Sequence, residues 1–380
     1  MEPIELQAFL DLLEEVEDPR VNRTRRHKLT DILLLVLIGT LCDQRGWDAI
    51  YQFSAFREAE LKTLLELPHG IPSPDTLRRV FRALDPGGLK RVLVRWARML
   101  HGATEGSHVA IDGKTVRGAF AEDGSALHLV SAWASETKLI LAQYAADAKS
   151  NEITAIPQLL ELLKLRGSTV TIDAMGCQKA IAQNIIDKKA DYVFGLKGNH
   201  PTLHQEVLSA FDDDTCNQLR AHAKDFHEEA DKGHGRLELR RTFVLREVDW
   251  LTRWEAWPKL ASLVLVESTR TLRGVTSVER RAYISSAKVS AARFGQLIRS
   301  HWGIENQLHW VLDVSFGEDR ARVSKNNGAE NIAVLRKIAL NILRRVFDEK
   351  GPKSIIMKKR IASWSFKHLL IALTAGISDD

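Results

Sequence analysis

Two aspartates in this sequence each follow a short apolar run, in Ala110-Ile-Asp-Gly-Lys-Thr115 and in Val170-Thr-Ile-Asp-Ala174. An ionised carboxylate placed after buried apolar residues must lie at the rim of a strand or hold a metal ion, because burying an unpaired charge is costly. Asp112 alone is equally compatible with an ordinary turn. If the strands that end at Asp112 and Asp173 are neighbours, the two like charges repel, and a bound divalent cation is the usual remedy.

A third oxygen ligand should come from a helix packed over these strand ends. Glu305 borders an apolar helical stripe, so we expect it to face the sheet. Asp313 lies about 80° further round the same helix and is interpreted as a surface acid. Glu318 and Asp319 follow a glycine in a predicted loop. We prefer Glu305 and keep the other three acids as alternatives.

Such an all-carboxylate set suits Mg²⁺, which binds a few carboxylates together with waters and phosphate oxygens. We expect Mn²⁺ to substitute for it. Two such ions, about 3.5–4 Å apart, would hold the attacking and leaving oxygens of an in-line phosphodiester displacement. The residue types therefore predict metal-dependent phosphodiester chemistry.

The elements that must position these carboxylates lie between residues 104 and 200. Alternating apolar runs and turn signals predict this order of strands and helices: strands at His108–Asp112, Ala126–Ser135 and Lys138–Ala145, a helix at Ile153–Leu165, a strand at Ser168–Met175, a helix at Gln178–Lys189 and a strand at Asp191–Leu196. Three hairpin-linked strands that lead into a βαβ unit give a mixed sheet with helices on both faces. This is a ribonuclease H-like α/β layout, in which strands one and four are neighbours.

The pattern of apolar and charged residues predicts the structure of the other segments. Residues 1–103 read as an all-α domain, 201–285 as a β-rich insertion, 286–348 as the second part of the core and 349–380 as a helical tail with a final helix at Trp364–Ala375. The strands expected in the insertion are Arg236–Val248, Ser262–Thr269 and Val278–Ser285. In the first domain Ser73 is a natural N-cap, followed by Pro74 at the first helical position. That short helix carries Arg78, Arg79 and Arg82, which suits either a DNA-reading element or a packing helix.

Composition narrows the class of protein. With 380 residues, 44% of them hydrophobic and 27% charged, the chain can bury a core, which excludes a disordered or fibrous protein. The net charge is 54 − 49 = +5, and the excess gathers in three basic islands, at 20–28, 78–98 and 320–360. Such islands are typical of local phosphate contacts, although solvated helix faces give the same pattern.

The cysteines and the apolar runs indicate in which cellular compartment the protein is expected. Cys42, Cys177 and Cys216 form no CxxC pair, which argues against a disulfide framework and a cysteine-rich zinc site. The first residues are acidic, unlike the basic start of a signal peptide. The longest apolar run is far shorter than the ~20 residues of a membrane span. We expect a cytoplasmic, nucleoid-associated protein without a membrane partner.

Five blocks in order carry a more specific signal: AIDGKTVRG, TIDAMGCQ, YVFGLKGNHPTL, KGHGRLELR and HWGIENQLHWVLDVSFGEDR. Together they resemble the Asp-Asp-Glu transposases of bacterial insertion sequences, most closely the ISAs-type, H-repeat-associated branch, over nearly the whole chain. The resemblance implies that Asp112, Asp173 and Glu305 are the metal-binding catalytic triad. The intervals agree, since 61 residues separate the aspartates and 132 separate Asp173 from Glu305.

One departure limits the resemblance. The related Tyr-x2-Arg-x3-Glu-x6-Lys signature would need tyrosine at Ile298, arginine at His301 and lysine at Leu312. None of these is present, so the end-recognition details of that wider group are not implied. The ISAs-type branch itself is similar at His301-Trp302, which leaves the triad intact.

The resemblance implies an enzyme that binds the terminal inverted repeats of its element, cleaves at the ends and joins the 3′-hydroxyl to target DNA, as a homodimer on paired ends. A domesticated DNA-binding protein and a metal-dependent nuclease of the same fold are the alternatives. The expected DNA contacts are Lys114, Arg117, Lys197, Asn199, His234, Arg236, Arg78, Arg79, Arg82, His301 and Trp302. Lys114 and Arg117 are expected in the turn after Asp112. Trp302 and Trp310 could stack on an unpaired base, although buried packing is the favoured interpretation.

Overall fold

Ten strands of the described residues pair into one mixed sheet, against which the helices pack. The computed structural model describes residues 4–101, 106–120, 126–146, 152–222, 224–233, 236–272, 275–320, 323–324, 327–346 and 354–374. The strands are β1 (His108–Phe120), β2 (Ala126–Ala134), β3 (Leu139–Ala146), β4 (Thr169–Ile172), β5 (Asp191–Leu196), β6 (Phe226–Gly233), β7 (Arg236–Leu245), β8 (Ser262–Leu272), β9 (Val275–Ser285) and β10 (Val323–Ser324).

The helices divide among the same segments. They are α1 (Ile4–Glu14), α2 (Leu29–Leu41), α3 (Trp47–Phe56), α4 (Glu58–Leu61), α5 (Pro74–Ala83), α6 (Pro86–His101), α7 (Glu152–Glu161), α8 (Lys179–Asp187), α9 (Pro201–Ala210), α10 (Asp213–Arg220), α11 (Ala291–His301), α12 (Trp310–Ser315), α13 (Gly328–Arg345), α14 (Ile355–Trp364) and α15 (Phe366–Thr374). A π-helical segment, Ile304–His309, lies between α11 and α12. Short 3-10 turns occur at Asn22–Thr24, Trp254–Ala256 and Glu318–Arg320.

The order of the strands places β1 at the centre of the core. Along the sheet they run β3-β2-β1-β4-β5-β9-β8-β7-β6, and β10 pairs with the end of β1. β2 is antiparallel to both β1 and β3, whereas β1, β4 and β5 are parallel. The predicted mixed sheet, and the predicted adjacency of strands one and four, are therefore confirmed.

β1 is longer than predicted. The sequence suggested an end at Asp112, but β1 pairs with β2 as far as Phe120, so Asp112 lies within the strand. The prediction that Lys114 and Arg117 lie in a turn is wrong for the same reason. The antiparallel partner β2 supplies hydrogen bonds to β1 beyond the point where the parallel partner β4 has ended at Ile172.

The two faces of the core sheet are covered by different helices. Val109 and Ile111 pack with the apolar residues of α7 and α8. Ala110, between them in sequence, joins the cluster that contains α13 and the N-terminal helices, because side chains alternate across a strand. Helices on both faces are thus confirmed.

The N-terminal helices pack on α13. α2 is largely apolar and almost wholly buried, as expected for a helix surrounded by others. Asn331 of α13 donates from Nδ2 to the carbonyls of Phe81 and Leu84, at 2.9 and 2.8 Å. The predicted cap of α5 is confirmed, since Ser73 Oγ accepts from the amide of Thr76 at 3.3 Å.

The insertion extends the core sheet. β9 pairs antiparallel with β5, so β6–β9 continue the same hydrogen-bonded surface. β6 was not predicted, because its sequence, FHEEADKG, is charged and hides the alternation of a strand. The tail forms two helices where one was predicted, since Ser365 ends α14 and its Oγ accepts from the amide of His368 at the start of α15. No helix among the described residues is long and apolar enough to cross a membrane.

Candidate active site

The two aspartates are brought together by the β1–β4 register. Ile111 and Ile172 are Cα partners, and Asp112 and Asp173 are the residues that follow them in the chain. Asp173 lies directly after β4, where its Oδ1 accepts the amides of Met175 and Gly176 at 3.0 and 3.5 Å. The aspartates therefore share the edge at which β4 ends, as predicted.

Glu305 reaches the same edge from a distorted helix. α11 begins at its N-cap Ser290, whose Oγ accepts from the amide of Arg293, and the helix changes to π geometry at Ile304. Ile304 and Leu308 are fully buried and fix this segment against the core. The sequence prediction of a regular α-helix here is wrong. π-helical turns are rare and occur frequently at functional sites.

Asp112, Asp173 and Glu305 line one cavity of about 430 Å³. Lys197, after β5, lines it as well, together with His301 and Trp302 from the end of α11. The cavity is closed on the insertion side by residues of β9, namely Glu279, Arg280, Arg281, Ala282 and Tyr283. The three predicted carboxylates are thus assembled around a single space.

The charges of the three acids influence one another. Burial raises the pKa of Asp112, but the nearby His309 and His301 outweigh it, so the pKa lies below its usual value. Burial, and then the charges of Asp112 and Glu152, raise the pKa of Asp173. Burial and the charge of Asp112 likewise raise the pKa of Glu305, with a smaller contribution from Asp173. Crowding of this kind is the condition that a divalent cation relieves.

The donor set fits a hard cation, although it is not a closed cage. Carboxylate oxygens on one cavity are the ligands that Mg²⁺ and Mn²⁺ prefer. Among the described residues, however, no group of three or more His, Cys, Asp or Glu side chains is arranged closely enough to hold a metal ion. Asp112, Asp173 and Glu305 would have to approach one another to share one.

Two histidines connect the glutamate-bearing helix with the sheet. His108 Nε2 is hydrogen-bonded to Thr171 Oγ1 at 2.8 Å, and the same oxygen is hydrogen-bonded to His301 Nδ1 at 2.9 Å. Burial, followed by the charge of His301, lowers the pKa of His108 to about 3, so its imidazole is neutral. The chain His108–Thr171–His301 joins β1, β4 and α11. His301, predicted as a DNA contact, therefore also holds the helix in place.

Lys114 points into a network of acids. Its Nζ contacts Asp313 and lies 2.9 Å from Glu318 Oε2, and its side chain is only 12% exposed. Burial alone would lower the pKa of Lys114. The charges of Glu318 and Asp313 outweigh this effect, so the pKa lies above its usual value. A DNA phosphate would have to displace these partners. Asp313, interpreted from the sequence as a plain surface acid, is instead an ion-pair partner.

The remaining predicted residues near the triad are exposed. Lys197 and Asn199 are exposed at the end of β5, and Asn199 Nδ2 donates to the carbonyl of Ala174, which ties this loop to the one after Asp173. The side chain of Arg117 is 85% exposed, and its amide donates to Asp319 Oδ1 at 3.2 Å.

The tryptophans are not buried, contrary to the favoured interpretation. Trp302 is 36% exposed and Trp310 is 59% exposed. The guanidinium of Arg281 lies 4.7 Å from the centroid of the Trp302 ring, a cation–π contact at the wall of the cavity. Trp302 is therefore available to a ligand.

The arginines of α5 do not line this cavity. Arg78, Arg79 and Arg82 are on α5, whose buried face carries Leu77, Val80 and Phe81, and none of the three arginines lines the cavity. Arg78 pairs with Asp75. His234 lies outside the described residues, and Arg236 begins β7.

Sequence reasoning missed His309 and the arginines of β9. His309 Nε2 lies 3.2 Å from Asp112 Oδ2, a contact that its position four residues after Glu305 could have suggested. Arg280 and Arg281 could not be found, because the pairing of β9 with β5 was unknown. Arg281 and Trp302 also line a neighbouring groove of about 550 Å³ between the insertion and α11.

The family models match most of the chain. The model described as "Transposase DDE domain" matches residues 103–342, and the model described as "DDE_Tnp_1-associated" matches residues 10–97. The first segment contains the triad and the insertion. The second contains the N-terminal helices up to α6.

Individual relatives agree with these matches. "Putative transposase YncI" of Escherichia coli O157:H7 is 38% identical over 352 residues, which is 91% of this chain and 90% of that protein. "H repeat-associated putative transposase YhhI" of Escherichia coli K12 is 34% identical over 380 residues, 98% of this chain and 99% of that protein.

Among solved structures, a piggyBac transposase synaptic complex with hairpin DNA aligns with 97% of this chain and 76% of that one, at 11% identity and a TM-score of 0.42. A score this low establishes no common fold. The two family matches, and relatives that are similar over almost their whole length, establish that the chain belongs to the DDE transposases of bacterial insertion sequences.

Proposed function

We propose that this protein binds the terminal inverted repeats of its own insertion sequence, cleaves the phosphodiester bonds at the ends and joins the freed 3′-hydroxyl to target DNA. The observation that carries the proposal is the convergence of Asp112, Asp173 and Glu305 on one cavity from three separate elements. A plain structural role would not require three mutually repelling carboxylates at one edge of a sheet.

The strand order 3-2-1-4-5, with the first two strand pairs antiparallel and the next two parallel, supports a ribonuclease H-like core. In the proposed division, residues 1–103 form a DNA-binding region and 104–200 with 286–348 form the catalytic core. The strands of the insertion, 201–285, supply one wall of the catalytic cavity through β9.

Each residue of the cavity has a proposed role. The metal ligands would be Asp112, Asp173 and Glu305. They would hold Mg²⁺, or Mn²⁺ in its place, for two-metal-ion catalysis. When bound, such ions activate water and stabilise the charge that develops on the phosphate oxygens. His309 would orient the carboxylate of Asp112. The hydrogen bonds that join His108, Thr171 and His301 would hold the segment with Glu305 in position against the sheet.

The DNA would be positioned by the cations at the mouth of the cavity. Lys197 follows β5, and Arg280 and Arg281 lie on β9, so they border the triad from two directions. They are placed to contact phosphates that flank the scissile bond. Trp302 would stack on an unpaired base next to the cut, with Arg281 against its ring. We propose that two copies act together on paired ends.

The test is cleavage of a supercoiled plasmid that carries both native ends of the element. Wild type should cut at the ends with Mg²⁺ and not with EDTA, and Glu305→Gln should not cut under either condition. Cutting by Glu305→Gln at the wild-type rate would exclude Glu305 as a ligand. Metal-dependent cutting without any preference for the ends would favour a nuclease, and binding of the ends without cutting would favour a domesticated DNA-binding protein.

A further inference from the structure

A second cavity lies between the N-terminal helices and the catalytic core. It has a volume of about 260 Å³. Four regions line it: the loop before α3 together with the start of that helix, the segment that follows α12, helix α13, and helix α14. Four cationic side chains face it, one from each of these regions: Arg45, Arg320, Arg336 and Lys359. None of them belongs to the cavity of the triad.

The positive charges of this cavity are incompletely balanced. Among the described residues, Asp43 is the one carboxylate within ion-pair distance of the four cations, 2.8 Å from Lys359 Nζ and 3.3 Å from Arg45 Nε. The side chain of Lys359 is 2% exposed, and burial lowers its pKa to about 8. Burial also lowers the pKa of Arg336, although the charge of Glu318 partly opposes this. Like charges held in a partly buried space favour a bound anion.

The backbone around the cavity is shaped to admit these side chains. Gly317 has φ +63°, and a Cβ atom there would lie 2.8 Å from Arg45 Nη1, so only glycine leaves Arg45 its position. Gly46, with φ +99°, is the N-cap of α3, and both Gly46 and Trp47 line the cavity. The positive end of the α3 dipole therefore adds to the charge of the side chains.

The segment 316–320 connects the basic cavity with β1. Phe316, Gly317 and Arg320 line the basic cavity, whereas Glu318 turns inward to Lys114, two residues along β1 from Asp112. The walls also include Trp47, Ile50 and Ile332, which offer apolar contact beside the cations. Guanidinium groups recognise phosphate through paired hydrogen bonds. Among the described residues, no carboxylate lies within ion-pair distance of Arg320 or Arg336.

We propose that this basic cavity binds a phosphate group of the DNA backbone and so anchors DNA on the N-terminal helices and the catalytic core at once. The inference rests on the proposed function, in that it assumes that the ligand is DNA. Free inorganic phosphate offers the same chemistry, and the experiment separates the two sources.

The test is the salt dependence of binding to a duplex of arbitrary sequence, measured by fluorescence anisotropy with the full chain. Its outcome does not depend on cleavage or on end recognition, so it can fail independently of the proposed function. The variant Arg45→Gln/Arg320→Gln should reduce the slope of log K against log salt by about 0.9, the value for one phosphate contact. The matched control is Arg166→Gln/Arg253→Gln, which removes two exposed arginines that line neither cavity. It should leave the slope unchanged.

The second measurement is the melting temperature in phosphate and in chloride at equal ionic strength. If phosphate raises the melting temperature of the wild type but not that of the double variant, and the DNA slope also falls, the proposal holds. Equal DNA slopes for wild type and double variant would overturn it, and a phosphate effect in that case would assign the cavity to a free phosphate. If the double variant fails to fold, Arg320→Gln alone replaces it, since that side chain is exposed, and an unchanged slope again overturns the proposal.

Discussion

His309 Nε2 lies 3.2 Å from Asp112 Oδ2, so the π-helical segment that carries Glu305 also contacts the first aspartate. The contact links Asp112 to the segment that carries Glu305, and both are residues of the predicted triad. It also explains why Asp112 keeps a pKa below its usual value although its burial would raise it.

Replacing His309 should impair catalysis without unfolding the protein. We expect His309→Ala to slow end cleavage by about 10–100-fold, the range seen when residues that orient metal ligands are removed. Mn²⁺ affinity, measured by electron paramagnetic resonance, should fall in parallel. Val314→Ala, an exposed change on α12, is the control and should leave both quantities unchanged. Unaltered cleavage and Mn²⁺ affinity in His309→Ala would show that the histidine does not position Asp112.

Substitution of Asp313 should affect stability, whereas substitution of Glu305 should affect cleavage. Asp313→Asn removes one partner of the partly buried Lys114, so we expect a loss of about 1 kcal/mol in the free energy of unfolding. End cleavage by the folded variant should remain within a few-fold of wild type. Glu305→Gln should retain stability and lose cleavage. The opposite pattern in urea unfolding and plasmid cleavage would make Asp313 the third ligand.

A side chain at Gly113 should destabilise the fold. A Cβ atom there would overlap Oε1 of Glu152 and lie 2.7 Å from His128 Nε2, and these two side chains are themselves hydrogen-bonded at 2.9 Å. We expect Gly113→Ala to cost about 1–3 kcal/mol of unfolding free energy by overpacking. Glu152→Ala in the same chain should recover part of the loss, which a double-mutant cycle of thermal unfolding measures. Strictly additive costs would mean that the two positions are not in conflict.

His108 should make the fold sensitive to acid. Its pKa in the folded protein, about 3, lies below the 6.5 of the unfolded chain, so the unfolded state binds the proton first as pH falls. Its contribution to stability is complete above pH 6.5 and is lost towards pH 3, at about 1.4 kcal/mol per pH unit. Urea unfolding between pH 7 and pH 5 should show a steeper decline for wild type than for His108→Gln. Parallel declines would indicate that His108 titrates normally.

The sequence predicted the parts of the site that depend on local pattern. The apolar runs before Asp112 and Asp173, and the order of strands and helices, were enough to place both carboxylates on neighbouring strands. The helical stripe placed Glu305 on the side facing the sheet. These features follow from alternation and from helical period, which a single sequence carries.

What could not be predicted depends on contacts between distant segments. β1 passes Asp112 because β2 continues to pair with it, and no local signal marks that length. Arg281 reaches the cavity only because β9 joins β5. The π geometry at Ile304 likewise has no sequence pattern of its own, and it changes which residues follow Glu305 onto the same face.

The pairing of β9 with β5 has a consequence for how such a chain can change over time. β9 ends at Ser285 in register with Val193, and α11 begins after its N-cap Ser290. The helical segment that leads to Glu305 therefore starts only a few residues after the core sheet. Residues gained or lost at the far ends of the hairpins would leave Glu305 where it is. The interval of 132 residues between Asp173 and Glu305 can therefore differ in length between related chains. In contrast, a shift of one residue in the register of β5 and β9 would move Glu305 away from both aspartates.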